Sequence, residues 1–167
     1  RTQLKALPHA SNLYYTQPCA DLAKLLCRRT GMKKVFFSNS GAEANECAIK
    51  TARKYSFDKY GENRFKIVTL VNSFHGRTLT TLSATGQESF HQYFMPFTDG
   101  FVHVPADDFA ALESAVDDGV CAVMLELVQG EGGVRPLDEE EVKKIAAFCK
   151  KQDILLVIDE VQTGNGR

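Results

Sequence analysis

The chain has 167 residues, enough for one domain with a sizeable core, and its 44% hydrophobic and 25% charged content is that of a folded globular protein. A formal net charge of -1 excludes the global positive field that gathers nucleic acid or an anionic membrane surface. The short basic clusters Arg28-Arg29 and Lys33-Lys34 read as a solvated helix end.

The five cysteines, Cys19, Cys27, Cys47, Cys121 and Cys149, are odd in number and widely spaced, with no C-x-x-C pair. Neither a metal site nor a disulfide framework is therefore expected, and a reducing, cytoplasmic setting fits. No apolar run reaches membrane-spanning length, and the N-terminus lacks a signal-peptide layout; a leader removed upstream of Arg1 stays open.

Helical patterns alternate with short apolar runs, predicting a three-layer α/β/α fold with a mostly parallel sheet. Pro18 opens a helix whose apolar positions include Leu22, Leu25 and Leu26, and Gly31 sits at its stop. Val35-Phe36-Phe37 reads as a short buried strand. A long helix is predicted from about Gly41 to about Tyr60, with Ala44, Ala48 and Ala52 forming its packing face. Ile67–Val71 and Phe101–Val104 read as strands, Phe109–Val116 as a helix, and Cys121–Leu125 as a strand ending at Glu126. Asp138 caps a helix with Val142, Ile145, Ala146 and Cys149 on its apolar face. Ile154–Ile158 is a continuous apolar run, predicted to be buried on both faces and to end at Asp159.

Ligands of open α/β sheets bind outside the carboxyl ends of the strands. Three segments rich in functional groups fall there: Asn39 to Glu43, Glu126 to Gly133 and Asp159 to Gln162. The capping-box spacing of Ser40 and Glu43 accounts for both residues structurally, while Gly41 at a helix start equally suits an anion. Phe74 and Arg77 flank the His75-Gly76 turn. They read either as core and solvated side chains, or as a pair that stacks a flat ring and clamps a carboxylate. His75 has the type of a general base but no visible partner, and no such role is assigned to it.

Gln129 to Gly133 reads as a Gly-rich turn, because Arg135 occupies the third glycine position of a G-x-G-x-x-G fingerprint. An acid after five apolar residues, as at Asp159, calls for solvent, a metal or a cationic partner. A protonated heterocycle nitrogen meets that need, and an acid simply placed at a strand end remains the other reading.

Taken together, four ordered motifs resemble the class III aminotransferases of pyridoxal-phosphate (PLP) fold type I. They are Ser38 to Glu46, Phe74 to Thr78, Gln129 to Val134 and Asp159 to Gly164. The resemblance implies that Ser40, Gly41 and Ala42 hold the PLP phosphate and that Phe74 and Val161 cover the two faces of the ring. It also implies that Asp159 pairs with the ring nitrogen and Gln162 with the phenolic oxygen, Asp159-Glu160-Val161-Gln162 forming one cofactor-binding stretch. Arg77 is implied to bind a substrate carboxylate, and Glu126 to sit beside a second substrate arginine that this sequence does not contain. Leu127 departs from the proline common after that glutamate.

Within the family, the Ser40 to Glu46 and Phe74 to Thr78 motifs are similar to the acetylornithine branch. This implies transamination of N-acetylornithine with 2-oxoglutarate to N-acetylglutamate semialdehyde and glutamate, in arginine biosynthesis, by a homodimer. Ornithine or another ω-amino acid as donor, and a non-catalytic phosphate-ligand-binding fragment, are the alternatives.

The family's cofactor-bearing lysine lies downstream of the Asp159 motif. The 167 residues are therefore expected to form a partial PLP-binding large domain, without the lysine region or the small C-terminal domain, and not to turn over substrate alone. Gly166-Arg167 reads as a loop where a trypsin-like cut would leave a C-terminal arginine.

Overall fold

The computed structural model describes residues 1–11 and 13–164; the Gly166-Arg167 loop expectation lies outside the described residues. The chain divides into two compact units, Arg1–Phe37 and Ser38–Arg167.

The first unit holds α1 (Thr2–Ala6) and α2 (Gln17–Thr30). Pro18 stands in the first turn of α2, where a missing N–H costs nothing, and Gly31 closes the helix at φ 75°, a left-handed conformation that suits glycine. Leu22 and Leu25 are exposed. Val35-Phe36-Phe37, predicted as a buried strand, belongs to neither sheet, and Phe36 is exposed. An apolar run becomes a strand only where a ladder forms beside it, and both sheets are completed by other segments.

The second unit begins with α3 (Gly41–Tyr60), whose bounds match the sequence pattern. Its buried face is Asn45, Ile49, Ala52 and Ser56, so the expected alanine stripe is displaced: Ala44 is exposed and Ala48 half-buried. The order then runs β1 (Lys66–Leu70), α4 (Leu79–Ala84), a 3-10 turn at Glu88–Phe90, β2 (Phe101–Val104) and α5 (Phe109–Ala115). It continues with β3 (Val120–Leu125), β4 (Val128–Gln129), β5 (Arg135–Pro136), α6 (Glu139–Gln152) and β6 (Leu155–Ile158). Asp138 caps α6 through the Glu141 N–H, as its position predicts.

The main sheet is parallel, in the order β2-β1-β3-β6. Alternate residues face opposite layers. Val68, Leu70, Val123 and Leu125 pack with Leu112 of α5 and Ile145 and Phe148 of α6. Ile67, Ala122 and Met124 pack with Ile49 and Ala52 of α3 and with Ala84 of α4. This gives the three α/β/α layers. Truncating a core residue such as Leu125 to alanine should cost about 2–5 kcal/mol.

β3 is buried throughout, but β6 is only half-buried. As an outer strand it has one neighbour among the described residues, so Leu156 and Ile158 pack on one layer and Leu155 and Val157 on the other, but the burial expected on both faces is only partial. Of the predicted turn Gln129 to Gly133, Gly130 to Gly133 form the turn that closes the antiparallel β4–β5 hairpin, while Gln129 is the last residue of β4.

Candidate functional site

Register brings the chemistry together. Leu125 of β3 pairs with Ile158 of β6, so the next residues, Glu126 and Asp159, emerge side by side at the carboxyl end of the sheet. The Asp159 N–H donates to the Leu125 carbonyl at 2.8 Å, fixing that relation beyond the last ladder pair. From the neighbouring β1, the chain turns through Ser73 into Phe74 and His75. α3 then presents its N-terminus to the same place.

These elements enclose a cleft of about 350 Å³, lined by Gly41, Ala42, Asn45, Phe74, His75, Gly76, Glu126, Asp159, Val161 and Gln162. That volume is in the range of small-molecule sites.

At one end, Ser40 caps α3 and accepts from the Glu43 N–H at 3.2 Å. Glu43 reaches back to the Asn39 N–H at 2.6 Å, one residue before the usual partner of a capping box. The Gly41 and Ala42 amides occupy the first two helical positions, where a helix supplies no carbonyl partner. Gly41 makes room for Val161: a Cβ there would stand 2.6 Å from Cγ1 of Val161, which would have to shift. At Gly76 a Cβ would stand 2.8 Å from the Ala42 Cβ, on a backbone of φ 132°. The cleft exists partly because these side chains are missing.

At the floor lies Asp159, 7% exposed. Its Oδ2 accepts from His75 Nδ1 and from Asn45 Nδ2, both at 2.8 Å, and its Oδ1 from the Val161 N–H at 3.0 Å. Burial acts to raise its proton affinity, but these donors outweigh it and the carboxyl titrates below its ordinary value. It is therefore held as an anion, and no group of three metal-ligating side chains exists among the described residues. A cation in the cleft is its natural partner.

Glu126 behaves in the opposite way. It is 5% exposed, and burial raises its carboxyl despite the Phe74 N–H, which donates to Oε2 at 3.0 Å. Leu127, in place of the common proline, leaves the turn closed: its carbonyl accepts from the Leu137 N–H at 3.0 Å.

Gly41, Ala42, Phe74, Glu126, Asp159, Val161 and Gln162 thus line one cleft, with Ser40 adjoining as the helix cap. Arg77 and Glu160 do not line it. Arg77 is exposed, its guanidinium 5.8 Å from the Phe74 ring centre, which places it at the rim. Glu160 is exposed, as alternation along an extended chain requires.

Two residues escaped the sequence reading, His75 and Asn45. The partner His75 lacked is Asp159, 84 residues away, and both side chains are almost wholly withdrawn from solvent. An amide four residues before Ile49, on the face that also carries Ala52, was the signal for Asn45.

The family described as aminotransferase class-III matches residues 1–167. The chain belongs to that family. An acetylornithine aminotransferase of Haemophilus ducreyi is 59% identical over 166 residues, covering 99% of this chain and 42% of the relative. Among solved structures, N-acetylornithine aminotransferase from Stenotrophomonas maltophilia K279a is 37% identical, with a TM-score of 0.79, over 99% of this chain and 40% of that one.

Ornithine aminotransferase from Toxoplasma gondii, described with partial occupancy of PLP at its active site, has a TM-score of 0.91 at 32% identity. That match covers 98% of this chain and 39% of that one. The chain spans about two fifths of the length of these relatives. PLP is the cofactor that family membership implies, and the cleft suits it: its lining joins the amides of a helix start, a buried anion, and the apolar side chains of Phe74 and Val161.

Proposed function

We propose that this chain supplies the PLP cradle of an aminotransferase that moves the terminal amino group of N-acetylornithine to 2-oxoglutarate. The observation that carries the reading is the buried, triply hydrogen-bonded Asp159 carboxylate at the floor of a cleft entered by a helix N-terminus. The similarity to acetylornithine aminotransferases supports the substrate.

In this reading the Gly41 and Ala42 amides and the Ser40 hydroxyl bind the cofactor phosphate, where the helix dipole favours negative charge. Phe74 and Val161 hold the ring between them and exclude water from its faces. Asp159 keeps a proton on the ring nitrogen, and Gln162 donates to the phenolic oxygen. When bound, PLP supplies a cationic ring that takes up the charge left as the substrate's C–H proton departs. Arg77, at the rim, receives a substrate carboxylate by a bidentate contact. Glu126 stands ready to pair with an arginine from elsewhere, which would let one site accept an ω-amine and then a dicarboxylate. Glu160, directed away from the cleft, is left out of the cofactor contacts.

The chain forms part of a PLP-binding large domain. The lysine that carries the cofactor and moves the proton comes from outside it, and the working enzyme is a homodimer in a reducing cytoplasm. The 167 residues alone do not turn over.

The test uses the full-length protein containing this chain, loaded with PLP and 2-oxoglutarate. Glutamate formation is followed with N-acetylornithine, ornithine or 4-aminobutyrate as donor, and kcat/KM should be highest for N-acetylornithine. A preference for ornithine would overturn the substrate assignment, and no glutamate from any donor would overturn the activity.

A further inference from the structure

Asn45 is 6% exposed, on the α3 face it shares with Ile49, Ala52 and Ser56. A buried amide is costly unless both its hydrogens are used. Here Nδ2 donates one to the His75 carbonyl and one to Asp159 Oδ2, each at 2.8 Å. The orientation is unambiguous, because a flipped amide would set its oxygen against a carbonyl and a carboxylate at once.

The same helix presents Gly41 and Ala42 to the cleft one turn earlier. One rigid element therefore bears on both ends of the site: its amides on the anion-binding end, its Asn45 side chain on the buried carboxylate. Two side-chain donors on Oδ2 and one amide on Oδ1 leave the acceptor capacity of the carboxylate on Oδ1 for a donor in the cleft.

We infer that Asn45 is a positioning residue that ties the phosphate-binding helix to Asp159 and keeps that carboxylate the weaker base, so that the shared proton stays on the cofactor's ring nitrogen. The inference rests on the reading of Asp159 as the ring partner. Hydrogen bonds to the charged form stabilise the anion. Removing the Asn45 donor makes Asp159 take the proton more readily, and the ring loses cationic character. The main-chain contact to His75 would be lost in the same step, loosening the turn that carries Phe74.

The experiment loads the full-length holoenzyme with PLP labelled with 15N at the ring nitrogen. Asn45→Leu removes both donors at similar volume, and Asn45→Asp keeps the shape while placing a like charge against Asp159. In both, the 15N resonance should move toward the unprotonated pyridine position, and PLP should be held about tenfold more weakly. An unmoved resonance in both variants, whatever happens to melting temperature, would show a packing role only and overturn the inference. Asp159→Asn is the control. If it leaves the resonance unmoved, the ring-partner reading itself fails and the inference falls with it, a failure visible in the control alone.

Discussion

His75 Nδ1 donates to Asp159 Oδ2 at 2.8 Å, with both side chains almost entirely withdrawn from solvent. A carboxylate can only accept, so the bond fixes which imidazole nitrogen carries the proton and aims the carboxylate oxygens. Because the carboxyl titrates below its ordinary value when folded, the stability it contributes is complete above the unfolded value of about 3.9 and is lost as pH falls through the folded value. His75→Phe removes a donor, moving the folded value back up. It should lower stability at pH 7 by about 1.5–3 kcal/mol and shrink the loss between neutral and acid pH. Urea unfolding at several pH values is the check, and an unchanged acid limb would contradict this account.

Glu126 should show the reverse dependence. Burial raises its carboxyl, so the folded state holds the proton more tightly than the unfolded chain does. Its contribution to stability is then greatest below the unfolded value and falls as pH rises through the folded one. Glu126→Gln retains an acceptor for the Phe74 N–H without the charge. The variant should gain melting temperature over wild type at pH 7 and lose that advantage near pH 4, as followed by circular dichroism.

Gly76→Ala tests the cleft wall. The new Cβ would meet Thr81 Oγ1 at 2.6 Å and the Ala42 Cβ at 2.8 Å, on a backbone of φ 132° that L-residues rarely adopt. A loss of about 1–3 kcal/mol in unfolding free energy is expected, together with weaker PLP retention because Ala42 must shift.

Ser40→Ala removes the hydroxyl that accepts from the Glu43 N–H. Stability should fall by about 1 kcal/mol, as for a lost helix cap. If the hydroxyl also binds phosphate, PLP titration of the full-length protein should show weaker binding than the stability loss explains. Ser40→Thr should restore both.

Arg77 stands at the rim and outside the core, so Arg77→Ala should change stability by less than about 0.5 kcal/mol. Steady-state kinetics of the full-length protein should show a raised KM for the carboxylate-bearing donor, with a smaller effect on kcat. Equal loss with a donor lacking that carboxylate would argue against the role.

Much of this protein was legible in one dimension. Helix and strand bounds such as Gly41–Tyr60 and Phe101–Val104 follow from local periodicity, caps and glycine stops, which act over a few residues and need no partner. The four ordered motifs likewise pointed to the family that the whole chain matches.

Only the tertiary structure decided the rest. Val35–Phe37 has a strand's composition, but strand formation depends on a ladder partner, which composition cannot supply. The burial of β6 depends on its place at the end of the sheet order. Which face of α3 is buried depends on the angle at which the helix meets the sheet, and that angle selected Asn45 over Ala44. Asp159, His75 and Asn45 meet across separations of 84 and 114 residues. The parallel pairing of β1, β3 and β6 delivers His75 and Asp159 to one edge of the sheet, and the packing of α3 on that sheet brings Asn45 to them.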